Sequence, residues 1–233
     1  MTITPAIYPW RRRLVPRDQL FRAGGQALPG GRTLGGFLVE SPEPGGVSSL
    51  SLTLVLSHDA ETNRDAAWTA SRIQNGAVMR IPLCGSVQLV PATSLGVSSA
   101  AQLPWSNGQS WSNGQNWDWN PSVPVNAASS KGAAEVTADF SSFGEVLEIG
   151  HVIGFREGQY DFAHEVMDVT YVNGDIATVG ISPPLRRAVA ANDDLYLRPK
   201  TMMTCVNAAA AAKTLRNRRF MVFETLEFVE ALL

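Results

Sequence analysis

The stretch SSLSLTLVL, residues 48–56, alternates without a break. Leu50, Leu52, Leu54 and Leu56 face one way, and Ser49, Ser51, Thr53 and Val55 face the other. Period-two patterning of this kind predicts a half-buried strand with an apolar and a hydroxyl-bearing face. The strand runs into Ser57-His58-Asp59, where Ser57 or Asp59 can cap a helix reaching Gln74. Ala66, Ala70, Ile73 and Ala77 recur at helical spacing, and Gly76 supplies the stop. Strands are expected next at 78–83 and 86–90. A long strand, one helix and further strands make a sheet with one helix laid against it.

Working outward, residues 1–47 carry Pro5, Pro9, Pro16, Pro29, Pro42 and Pro44 together with four Gly-Gly pairs. Proline removes a donor and fixes φ, so this segment is expected to be extended and irregular. None of the glycine pairs forms GxGxxG or a P-loop. Residues 91–133 are rich in Ser, Asn, Gly, Pro and Ala. They contain a tandem repeat, Trp105-Ser-Asn-Gly-Gln-Ser then Trp111-Ser-Asn-Gly-Gln-Asn, leading to Trp117 and Trp119. Four of the six tryptophans lie in this one loop. A structureless segment of that length points to a functional or interface role.

A second β segment is expected over 134–200, with strands at 134–140, 152–155, 165–172 and 175–181 and another starting at Leu195. Asn173-Gly174 reads as a two-residue hairpin turn. Short strands with tight turns predict a small barrel of OB-like size, inserted into the first domain. The tail of the chain returns to long strands. Residues 207–213, NAAAAAK, form a one-turn helix or a lax connection, and 219–232 alternate with Phe220, Val222, Leu226 and Phe228 on one face. The domain plan is therefore 1–90 with 201–233 as one β domain, 91–133 as a Trp/Asn-Gly-rich loop, and 134–200 as the inserted β domain.

Composition bounds the function. The chain has 233 residues, 45% of them hydrophobic, which is enough for a real core. Only 17% are charged, with 20 glycines and 14 prolines, as suits a turn-rich β protein with surface packed on other protein. A net charge of −2 offers no bulk attraction to nucleic acid or anionic membrane. Cys84 and Cys205 are too few and too far apart for a disulfide framework or an ordinary zinc site, and inert buried thiols are expected. The arginine run near the start has no apolar region beside it, so no signal peptide is expected, and no apolar run is long enough for a membrane helix.

Catalytic constellations are thin. His58, His151 and His164 are the histidines. His164 has Asp161, Glu165 and Asp168 nearby, but without HExxH or a third ligand at usable spacing the cluster reads as a solvated hairpin edge. No GxSxG is present. No catalytic residue, metal or cofactor is expected. Trp105, Trp111, Trp117 and Trp119 read as interface anchors, with a sugar-stacking platform as the alternative. Arg11, Arg12 and Arg13 read as a basic run that pairs with acidic groups of an adjacent chain.

The order of these pieces resembles the distal tail proteins of long non-contractile-tailed bacteriophages. The resemblance is carried by the early Arg/Pro segment with Arg32-Thr33-Leu34-Gly35-Gly36, the repeat from Trp105 to Trp119, the run Ser182-Pro183-Pro184-Leu185-Arg186-Arg187-Ala188-Val189, and the closing Arg218-Arg219-Phe220 to Phe228-Val229-Glu230-Ala231. It implies a mainly β fold: a tail-tube-like β-sandwich with one α-helix, plus an inserted small β-barrel or OB-like domain. It implies a non-enzymatic virion protein at the tail tip, assembled in the host bacterial cytoplasm. Its partners would be copies of itself in a ring of six, or alternatively three, the tail tube protein, and baseplate hub and tail fibre proteins. DNA would only pass through the lumen, and no membrane insertion is expected. Strands near 48–56 and 219–229 would supply intersubunit or barrel pairing. The competing reading is a carbohydrate-binding module that adsorbs to the host surface through the tryptophan loop.

Overall fold

A computed structural model describes residues 6–24, 27–32, 38–42, 46–54, 59–84, 88–96, 121–157, 159–172, 175–211, 214–216, 220–222 and 225–232. In chain order its elements are β1 (Ile7–Pro9), β2 (Pro16–Arg22), β3 (Ala27–Arg32), β4 (Leu38–Pro42), β5 (Ser49–Leu54), α1 (Ala60–Gln74), β6 (Val78–Pro82), β7 (Ser122–Pro124), β8 (Glu135–Asp139), β9 (Val152–Glu157), β10 (Tyr160–Val172), β11 (Ile176–Ser182), β12 (Asp194–Tyr196), β13 (Lys200–Cys205), β14 (Thr214–Arg216), β15 (Phe220–Val222) and β16 (Leu226–Glu230). Among the described residues the fold is mainly β, with one α-helix and two large sheets, a mainly β class as the sequence predicts.

The chain divides into two compact units. The first comprises Met1–Gly85, Gln159–Phe162 and Lys200–Leu233, and the second Ser86–Gly158 and Ala163–Pro199. The first unit holds a six-stranded sheet in the order β1-β6-β13-β16-β5-β2. β1 runs parallel to β6, and the other pairings are antiparallel. Leu50 and Leu52 of β5 are fully buried and lie opposite Phe228 and Leu226 of β16, so the alternation read in 48–56 sets the register of the sheet centre. Glu230 ends β16 inside: its carboxylate accepts from the Ser48 amide at 3.0 Å, and its own amide donates to the Ser48 carbonyl at 2.8 Å.

Helix α1 forms where the cap and the alanine spacing place it. Asp59 accepts from the Thr62 amide at 2.8 Å, a bond that holds its carboxyl below the usual carboxylate range. Ala66, Ala70 and Ile73 are buried, and Gly76 ends the helix with φ +71°.

The second unit holds a sheet in the order β7-β12-β9-β10-β11-β8. It curls until its edge strands meet at one end: Val125, just past β7, bridges Ala138 of β8, and the Asn126 amide donates to the Thr137 carbonyl at 2.8 Å. Inside lie Phe140, Ile153, Val166, Val179, Leu195 and Leu197.

Several expectations are corrected. The segment before residue 48 is not irregular throughout, since β1 and β2 are the edges of the first sheet and β3 pairs with β4. Residues 88–90 form no strand; instead the Gln88 carbonyl accepts from the Val152 amide at 2.7 Å. The expected loop 91–133 contributes β7, with Val123 and Val125 buried in the second core, because alternation over three residues is too short to stand out. Residues 219–232 make two strands, not one: β15 pairs with β14, while β16 joins the large sheet. Both β5 and β16 are flanked by strands of their own chain, so neither is an edge open to a neighbour. Asn173-Gly174 lies outside the described residues. Among the described residues, Val172 and Ile176 are the last partners of the β10–β11 ladder.

Candidate functional site

The arginine run sits on a turn directly after β1. The Trp10 amide donates to the Arg80 carbonyl at 2.9 Å, continuing the β1–β6 ladder. The Leu14 amide then donates to the Arg11 carbonyl at 3.0 Å, and the Trp10 indole donates to the Leu14 carbonyl at 2.8 Å. Trp10 itself is buried edge-on to Phe228, with ring centroids 6.1 Å apart. A buried indole therefore pins both ends of the turn that presents Arg11, Arg12 and Arg13.

Arg11 and Arg13 meet acids of their own chain, on α1. Arg13 lies 2.5 Å from Glu61 and 3.7 Å from Asp65 on α1. Arg11 Nε is 4.0 Å from Asp65, at the outer limit of an ion pair, and its guanidinium stands 3.9 Å over the Trp68 ring. Arg72 closes the stack from the far end of α1, 4.7 Å over Tyr8, which meets Trp68 edge-on at 5.5 Å. Glu61, Asp65, Trp68 and Arg72 escaped the sequence reading. Their spacing of four, three and four places them on one helix face, a pattern legible within the helix itself. Exposed ion pairs of this type add about 0–1 kcal/mol, so the cluster mainly orients side chains.

Beside the turn is a hollow of about 100 Å³. Trp10, Leu14, Leu52 and Ile81 form its walls, Arg11 and Arg12 its rim. Cys84, expected to be buried and inert, is exposed on its border, with its thiol 3.7 Å from the Pro82 carbonyl. Cys205 is half-buried, and burial pushes its thiol pKa up.

The His164 neighbourhood departs from the solvated-edge reading. His164 is fully buried, with Nδ1 2.7 Å from the Pro183 carbonyl and its ring edge-on to Phe155. Asp161 is taken up by Arg80 at 2.5 Å. Asp168 is exposed beyond a bulge at Val166/Asp168. The cluster drawn from the sequence is thus dispersed, and among the described residues no three His, Cys, Asp or Glu groups are placed to share a metal ion. His58 and the tryptophans Trp105, Trp111, Trp117 and Trp119 lie outside the described residues.

His151 is a buried titratable group of the second unit. Its Nδ1 accepts from the Glu148 amide at 3.0 Å, and burial pushes its pKa below 6.5, partly opposed by Glu148. The folded state therefore favours neutral imidazole. The stability this gives is present in full above about pH 6.5 and is lost as pH falls from there through the lower folded pKa. Urea titrations from pH 7.5 to 5 are expected to show that loss, and His151→Asn, which keeps an acceptor but cannot titrate, is expected to flatten it. Parallel curves for the two proteins would contradict this role.

No model of a known family matches the chain, and no curated protein matches its sequence. Among the described residues no helix is long and apolar enough to cross a membrane.

Proposed function

We propose that this chain is a structural virion protein, a ring-forming adaptor that joins a phage tail tube to the baseplate hub and fibres. The observation that carries the reading is the build of the first unit. One sheet is assembled from both ends of the chain, around a β unit inserted between β6 and β13. Its edges are unlike. β1 is three residues long and ends in Pro9, whereas β2 is seven residues long and, among the described residues, has no strand on the side away from β5. An open edge of that length invites a strand from another chain, and a closed ring needs head-to-tail contacts between unlike surfaces. The face of the sheet carrying Ser49, Ser51 and Thr53 suits a lumen that DNA must pass without sticking, since hydroxyls add no positive charge.

Mass photometry and electron microscopy of the purified chain test this. The expected species is a ring about six times the 25.1 kDa chain, or three times in the alternative stoichiometry. A single-chain species at every concentration would overturn the reading. The tryptophan repeat extends the same test. In the adaptor, Trp105→Ala with Trp111→Ala weakens ring formation or docking of the next tail component, because buried indoles commonly contribute ~2 kcal/mol or more at interfaces. Normal assembly with lost adsorption to host polysaccharide would instead establish the carbohydrate-binding alternative.

A further inference from the structure

Two exposed apolar residues flank one backbone hydrogen bond of the second unit. The Gly150 amide donates to the Val166 carbonyl at 2.8 Å, and Ile149 and Met167, the residues flanking that bond, are 68% and 56% exposed. Each has a local cause. Gly150, at φ +86°, turns the chain so that Ile149 sits at the tip, and the β10 bulge puts Met167 and Asp168 outward together. Glu148 and Asp168 border the pair, both exposed, and neither has a cation beside it among the described residues. The turn is held firmly: the Leu147 amide donates to the Tyr171 hydroxyl at 2.8 Å, and His151 takes the Glu148 amide. This is an ordered apolar knob with an acidic border.

The first unit carries the converse. Its hollow beside the arginine turn is walled by Trp10, Leu14, Leu52 and Ile81 and has room for one aliphatic side chain. Val15, 61% exposed, forms an apolar lip. Arg11 and Arg12 supply a basic border, the Arg11 side chain being 40% exposed.

We infer that the two surfaces join successive copies of this chain: Ile149 of one copy enters the Trp10–Ile81 hollow of the next, Met167 lies on Val15, and Glu148 and Asp168 face Arg12 and Arg11. The inference rests on the ring reading and specifies one contact of it. The match is of shape and charge together, with an apolar centre and a charged rim on each side, the arrangement that concentrates binding energy in specific interfaces. Knob and hollow are unlike patches on different units, and a head-to-tail contact between unlike patches is what a rotationally closed ring uses.

The test measures self-association of the full chain by sedimentation velocity and mass photometry. Ile149→Glu places a charge in the apolar hollow and is expected to raise the dissociation constant about 30-fold or more. Because Ile149 is solvent-exposed in the single chain, the variant should melt with the wild-type protein. Glu148→Arg and Arg12→Glu should each weaken association about 10-fold, and their combination should return it to within about 3-fold of wild type. Alkylation of Cys84 by iodoacetamide should slow on assembly of the wild type and stay fast in Ile149→Glu. Rings that form with unchanged affinity in Ile149→Glu overturn this contact and leave the ring reading standing. Failure of the reversed pair to recover overturns the charge pairing. A wild-type chain that never associates overturns both.

Discussion

Replacing His164 by alanine is expected to destabilise the second unit by about 3 kcal/mol, measured as the shift of its urea transition. The imidazole lies in the middle of β10 with no exposure, against Phe155, and its Nδ1 meets the Pro183 carbonyl at 2.7 Å. Alanine leaves a cavity and removes the partner of a buried carbonyl, and both losses act in the same direction. His164→Phe separates them. It keeps a ring beside Phe155 and gives up the hydrogen bond, so it should cost about 1–2 kcal/mol. An alanine variant that unfolds within 0.5 kcal/mol of wild type, roughly the range of ordinary surface substitutions, would mean that His164 is not the packed core residue described.

The second large effect lies in the first unit. Arg80, from β6, meets the Asp161 carboxylate at 2.5 Å, and its Nη2 donates to the Gln159 carbonyl at 2.6 Å. Asp161 is only 7% exposed at its side chain and Arg80 23%. Asp161→Ala strands a largely desolvated guanidinium and should cost about 3 kcal/mol, read as a lower urea midpoint with unchanged slope. Replacing both partners with apolar residues, Arg80→Met with Asp161→Leu, should restore much of the loss, since attraction between such groups barely repays their desolvation. If the double variant is no more stable than Asp161→Ala, the pair is held by more than its mutual charge.

These two sites also show where sequence reading stops. The pattern in 48–56 was legible because β5 has one buried face, so leucine and hydroxyl side chains alternate as the backbone pleats. The helix was legible for a similar reason: Asp59, the alanine spacing and Gly76 are local signals, and local geometry used them. Around His164 the local signal fails. Asp161, Phe162, Ala163 and His164 are buried in succession, so this stretch of β10 is covered on both faces and its period of two disappears. Polar residues in a strand then look solvated when they are not. The arginine run was visible as a run, but its acidic partners come from a helix about fifty residues downstream, and no spacing rule links the two. Ile149 drew no notice because a single exposed aliphatic residue is ordinary; only its position beside Met167 across a backbone hydrogen bond makes a patch of it.

The order in which strands enter the first sheet has a bearing on how the chain matures during synthesis. Every strand of the second unit has left the catalytic centre of the ribosome by residue 196, whereas β16, which lies between β13 and β5, comes last, at 226–230. Until then β5 has a partner on the β2 side only, and Leu50 and Leu52 lack Phe228 and Leu226 opposite them. The nascent chain can thus complete the inserted unit while the sheet that bears the β2 edge is still open at its centre. On the ring reading, pairing of successive copies through the β2 edge follows the arrival of residues 226–230, after the inserted unit is complete.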